Sequence, residues 1–161
     1  MQLVQTTSQQ ENRNADLQHF YVPRQTDAGA KRGDCTEVYH EEFGIARYLI
    51  QVVFYEVANN DRYIGAKPVQ PDLVWIRCDV REGRTPEMKA RLLHRVQQGI
   101  AKAANISEEA VWFYLDDLAS VNIMEWGHIM PPFRPELAPH QDDPWFQAVS
   151  ASLKERLQQL A

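Results

Sequence analysis

The segment Arg81-Glu82-Gly83-Arg84-Thr85-Pro86 holds the residue types and spacing that point most directly to chemistry in this sequence. It joins the end of an alternating strand pattern to the start of a helical one, where unpaired backbone N–H groups and the positive end of the helix dipole favour an anion. Two guanidiniums three residues apart across a glycine turn can close on one carboxylate, each with paired donors. Such charge-assisted bonds contribute roughly 1.5–3 kcal/mol each. The competing reading is a surface turn whose charges are solvated.

Two further side chains could join them. Strand alternation puts Tyr114 with Trp112 and Asp116 on one face, and Val111, Phe113 and Leu115 on the other. A phenol there can donate to a substrate oxygen or a water, or it can simply pack. Glu125 lies in Ile123-Met124-Glu125-Trp126-Gly127, an acid among apolar neighbours. Such surroundings raise a carboxyl pKa and suit base work on a water, although a rim glutamate has the same neighbours. The five histidines show no ligand spacing, and no metal is expected.

The elements that must position these groups are legible in part. Val74, Ile76, Cys78 and Val80 alternate with Arg77 and Asp79, as in a half-buried strand. Thr85–Ala104 reads as a helix with Thr85 as cap, Pro86 in the first turn and an apolar stripe through Met88, Leu92, Val96 and Ile100. Val111–Leu115 is a strand, as is Arg47–Val57, which is rich in β-branched and aromatic residues. Leu17–Val22 is a short strand ending at Pro23. Gly29 and Gly33, each costing a helix about 1 kcal/mol, confine the first helix to Cys35–Phe43. A C-terminal amphipathic helix carries Trp145, Val149, Leu153, Leu157 and Leu160. Two β-α-β units in one order imply an α+β domain: a shared sheet with two helices on one face, plus the C-terminal helix.

With 161 residues, 44% hydrophobic and 24% charged, the chain supports one domain, expected over 17–161 behind a disordered extension at 1–16. A net charge of −5 excludes a basic nucleic-acid footprint. No apolar run approaches a membrane span or a signal-peptide core, so no membrane partner is expected. Cys35 and Cys78 lack a framework or metal spacing, and a reducing cytoplasm is the expected setting.

The blocks YLIQVVFYEV, REGRTPEMKARLLHRV, AVWFYLDDL and NIMEWGHIMPP, spanning about Thr36 to Phe146, resemble the cis-3-chloroacrylic acid dehalogenase group of the tautomerase superfamily. The resemblance implies a tautomerase-like fold, a homotrimer and no cofactor. By it, Arg81 and Arg84 match the arginines that bind the substrate carboxylate, Tyr114 the active-site tyrosine, and Glu125 the glutamate that activates water. Tyr39 falls where the dehalogenase has a catalytic histidine. The family's amino-terminal proline serves as acid or base; here the chain reads Met1-Gln2. With Leu17–Val22 as first strand, Asp16 takes the proline's place, as a carboxylate base. The implied activity is proton transfer or hydration on a small unsaturated or 2-oxo carboxylic acid. The alternative is an inactive relative that binds small carboxylates or serves as an assembly module.

Overall fold

A computed structural model describes residues 16–21, 28–55, 57–58, 61–69, 73–130 and 144–159, with side chains from residue 35 onward. The first unit runs β1 (Asp16–Tyr21), α1 (Ala28–Phe43), a 3-10 turn (Arg47–Leu49) and β2 (Ile50–Tyr55). A hairpin of β3 (Tyr63–Ile64) and β4 (Lys67–Pro68) closes it. The second unit repeats the order: β5 (Val74–Arg81), α2 (Pro86–Ala104), a 3-10 turn (Glu108–Ala110) and β6 (Val111–Leu118). A further 3-10 turn (Ser120–Asn122) leads to the hairpin of β7 (Met124–Glu125) and β8 (His128–Ile129). The chain then enters α3 (Pro144–Gln159).

The four long strands form one sheet in the order β2-β1-β5-β6. Each unit supplies a parallel pair, and the units join where β1 runs antiparallel to β5. The two halves are alike down to single hydrogen bonds. Asp61 N donates to Ala58 O and Val69 N to Arg62 O in the first; Asn122 N donates to Ala119 O and Met130 N to Ile123 O in the second.

Helices α1 and α2 cover one face. Val74, Ile76, Cys78 and Val80 of β5 are buried beneath Cys35, Tyr39 and Phe43 of α1 and Leu92, Val96 and Ile100 of α2. The helices are also tied to each other: Arg91 Nε and Arg95 Nη1 both donate to the Glu42 carboxylate at 2.8 Å. The other face is open. Trp112 and Tyr114 lie there, 40% and 52% exposed, as does Arg77, which bridges Asp79 at 2.9 Å and Asp116 at 2.6 Å.

The architecture is the tandem β-α-β sheet expected, with corrections in its boundaries. Helix α1 begins at Ala28 rather than Cys35 and runs through Gly29 and Gly33. Its Cys35, Tyr39 and Phe43 stripe, spaced one turn apart, packs into the core, and tertiary packing outweighs the glycine penalty. The strand expected from Arg47 starts at Ile50, because Arg47–Leu49 wraps into a 3-10 turn that buries Leu49. On α3 Trp145 and Leu153 of the expected stripe pack against the core, but the fully buried residues are Phe146 and Ser150, and Leu157 is exposed. The extension expected over 1–16 lies outside the described residues except for Asp16, which opens β1. Both cysteines are buried, and neither is in a disulfide. Among the described residues no helix is long and apolar enough to cross a membrane.

Candidate functional site

The arginine turn is built by the end of β5 and the start of α2. Arg81 is the last residue of β5 and faces Leu118 of β6 in register. Glu82 N then donates to Leu118 O at 2.9 Å, and Glu82 Oε1 accepts from Ser120 N at 3.0 Å. Gly83 turns the chain at φ 104, a left-handed conformation that a side chain would strain. Thr85 caps α2, its hydroxyl accepting from Met88 N at 3.3 Å. Pro86 occupies the first turn, and Glu87 complements the dipole there.

Both guanidiniums are drawn inward rather than solvated: Arg81 is 1% exposed and Arg84 4%. Arg84 donates through Nη1 to the Arg81 carbonyl, and its guanidinium carbon sits 5.2 Å above the Phe43 ring. Phe43 in turn meets Tyr39 edge-on, with ring centroids 4.8 Å apart. A cation over an aromatic face is held electrostatically, so α1 supplies a pedestal that fixes the direction of Arg84.

Glu125 reaches this end of the sheet along the chain that Glu82 holds. Ser120, bonded to Glu82, opens the 3-10 turn that leads into β7, where Glu125 is half-buried with Oε2 closed off from solvent. The hairpin turns at Trp126 and Gly127, with φ of 51 and 82, positive at both central residues as a two-residue I′ turn requires. Its second strand is pinned by His128, whose ring stacks on Trp145 of α3 at 4.2 Å.

Asp16 opens β1 with its backbone paired to Ile50. Because Leu17 pairs with Asp79 antiparallel, one further step of the register sets Asp16 beside Val80, next to Arg81. Arg81, Arg84, the Glu125 hairpin and the start of β1 therefore share one end of the sheet. Tyr39 supports that end from within the core, 0% exposed, rather than facing solvent.

Tyr114 is not brought to the arginines of its own chain. It pairs with Arg77, four strand positions from Leu118 and Arg81, which at about 3.3 Å per residue is roughly 13 Å. It stands instead on the open face, its ring tilted against Trp75 with centroids 5.6 Å apart. Sequence reasoning missed Phe43 as the support of Arg84; its spacing of four from Tyr39 was the available signal. It also missed Glu82 as the tie to Ser120, for which the sequence holds no local signal. Among the described residues no group of three or more His, Cys, Asp or Glu is placed to hold a metal.

No protein-family model matches the sequence, and no curated protein does. Solved structures do. A crystal structure of a member of the cis-3-chloroacrylic acid dehalogenase (cis-CaaD) family aligns with a TM-score of 0.72 and 23% identity, covering 86% of this chain and 99% of the other. A native fused 4-OT aligns with a TM-score of 0.66 and 17% identity, covering 70% and 94%. A fused 4-OT described as an asymmetric trimer gives 0.66 and 16%, over 70% and 94%. At such identities the likeness is one of fold, and it extends over nearly the whole of each of these structures.

Proposed function

We propose that this chain, which carries the tautomerase-like fold, is a cofactor-independent, cytoplasmic enzyme that moves a proton on, or adds water to, a small unsaturated or 2-oxo carboxylic acid. The observation that carries this reading is the pair of inward-drawn guanidiniums at the mouth of α2. A carboxylate seated there meets Arg81, Arg84 and the helix dipole together, which neutralises its charge and draws electron density from the adjoining double bond or carbonyl.

Glu125 then serves as the acid–base group. A carboxylate with one oxygen shielded from solvent can hold a water or a substrate proton close to the anchored molecule. Asp16 is a second candidate base, since the register puts its backbone beside that of Val80. Tyr39 and Phe43 act as supports under Arg84.

The working assembly in this reading is a homotrimer. The open sheet face exposes Trp112 and Tyr114, an apolar surface that packing between copies would cover, and fused 4-OT structures of this fold are trimers. Tyr114 stands roughly 13 Å along the sheet from its own arginine turn. In the trimer it therefore acts on a substrate held by a neighbouring copy.

The test combines turnover and binding. Ketonisation of phenylenolpyruvate is followed beside thermal melting with small carboxylates, for the unaltered protein and for Arg84→Ala. Turnover that is lost in Arg84→Ala supports the enzyme. A carboxylate-dependent rise in Tm without turnover supports the alternative, a carboxylate-binding relative without chemistry. Undiminished activity of Arg84→Ala ends both readings.

A further inference from the structure

The acid of the proposed reaction sits on an element that does not hold itself in place. Each strand of the hairpin β7–β8 has two residues, and an isolated hairpin is marginally stable at best in water. Its turn adds strain, because Trp126 takes φ 51, a left-handed conformation that a side chain disfavours. The base of the hairpin is tied in: Met130 N donates to Ile123 O at 2.9 Å, and the Met130 side chain is buried. Toward the tip, Glu125 and His128 pair across the two strands. A directly opposed pair shares one face of the ladder, with Cβ atoms about 4.5–5.5 Å apart. Whatever holds His128 therefore holds Glu125 as well.

Helix α3 holds His128. The imidazole lies nearly flat on the Trp145 indole, with centroids 4.2 Å apart and planes inclined by 20°. His128 is otherwise exposed, but Trp145 is half-buried and meets the buried Phe146 edge-on at 5.7 Å. Farther along α3, Leu153 packs against the core, and Lys154 Nζ lies 5.0 Å over the ring of Tyr48 in the turn ahead of β2. The helix is thus fixed to the body of the domain at its start and again past its middle, and Trp145 offers the hairpin a firm surface.

The other half of the chain shows that this tie is an addition to the repeated plan. Matching backbone bonds set Ile64 of β3–β4 where the second hairpin has Glu125, and Lys67 where it has His128. Both of those side chains are exposed. Instead, Arg62 and Tyr63 join Trp75, Trp112 and Tyr114 in lining a cleft of about 380 Å³ on the open face, which neighbouring copies cover in the proposed trimer. The ring at the lysine's place, and the helix that receives it, accompany the acid.

We propose that Trp145 is a positioning residue for Glu125: by stacking on His128 it orients the hairpin that presents the carboxylate to a substrate anchored on Arg81 and Arg84. This role rests on the reading of Glu125 as the acid–base group. The anchor is fixed separately, by the turn into α2 and by Phe43, so loosening the hairpin slows the proton transfer and leaves the substrate held.

Hydrogen exchange and kinetics of the full-length protein test this together. In Trp145→Leu the amides of β7–β8 and Met130 should exchange about three- to tenfold faster relative to those of β5, the measure of a lost ring stack. Trp145→Phe keeps a stacking face and should stay within about twofold of the unaltered protein. His128→Ala, a change at an exposed side chain, should match Trp145→Leu, and the double variant should add little to either. It keeps the test valid if Trp145→Leu melts early. For phenylenolpyruvate, kcat should fall roughly tenfold or more in Trp145→Leu, with KM within about twofold, and should recover in Trp145→Phe. Unchanged hairpin exchange in Trp145→Leu and His128→Ala overturns the proposal, whether or not the protein turns over a substrate. So does a loss confined to KM, or one equally large in Trp145→Phe and Trp145→Leu. Absence of turnover in the unaltered protein, with hairpin exchange responding as expected, overturns the acid–base reading of Glu125 and supports the tie.

Discussion

The two halves of this chain follow one backbone plan and have been given opposite chemistry. Each is a strand, a helix, a 3-10 turn, a parallel strand and a two-residue hairpin, with matching turn hydrogen bonds. Yet the second hairpin carries Glu125 and follows β6 at the end of the sheet where two arginines are buried, whereas the first carries Arg62 beside an aromatic wall. The lesson is that the fold supplies two equivalent places and side chains decide what each can do. The burial pattern follows. The arginine turn is covered at the mouth of α2, while the ring-lined end opens to solvent on the uncovered face.

The comparison can be broken or sharpened by a graded set of substitutions. Glu125→Gln should lower turnover of an active substrate by about 10²–10⁴, while Ile64→Gln, at the matching position, should leave turnover unchanged. Equal losses in kcat at both positions would remove the functional difference between the halves.

Phe43→Ala should destabilise the protein by about 3–5 kcal/mol in denaturant unfolding. Phe43 is 1% exposed and carries Arg84, so a carboxylate ligand should also bind more weakly. Retained ligand affinity in a folded Phe43→Ala protein would show that the arginine needs no pedestal.

Gly65→Ala and Gly127→Ala sharpen the equivalence of the hairpins themselves. Both glycines have positive φ, 57 and 82, and an added Cβ meets nothing within 4 Å at either. The cost is therefore conformational alone, about 1 kcal/mol for each, with Gly65 testing the first turn position and Gly127 the second. A large disagreement in measured stability would mean that the hairpins are held differently.

The smallest effect concerns the ties between α1 and α2. Burial works to raise the Glu42 carboxyl pKa, but hydrogen bonds from Arg95 and Arg91 outweigh it, and the net result is a lowered value. A carboxyl lowered on folding adds stability above its unfolded pKa, and that stability is lost as pH falls from the ordinary carboxylate range through the lowered folded value. Glu42→Gln should cost about 0.5–1 kcal/mol at neutral pH and flatten the decline of Tm in acid. An unchanged acid limb would assign that decline to other carboxylates.

Legibility in the sequence differed by element. The Val74–Val80 alternation and the Thr85 cap were plain, because periodicity and capping are local properties, and both appear as read. The arginine turn was equally plain as a motif, but its burial was not, since Glu82 reaches Ser120 across 38 positions. Helix α1 was misjudged at its start because two glycines spoke locally against a helix that contacts with α2 and the sheet maintain. Tyr114 lay on the expected face, yet its separation from Arg81 emerged only from strand register. The cleft over β5 and β6 had no sequence signal at all, because the hairpin that covers it is remote along the chain from Trp112 and Tyr114.

By itself the sequence determined the units: which stretches become strands and helices, which faces they bury, and where two arginines meet a helix start. These follow from side-chain period and end chemistry, interactions that act within a few residues. Only the tertiary structure decided which chemical groups become neighbours. It set Arg84 on Phe43, gathered Glu125 and the start of β1 at the arginine end, and left Tyr114 with Trp75 at the other. The physical reason is strand register, which moves a side chain about 3.3 Å per residue and so sets distances that no local pattern encodes.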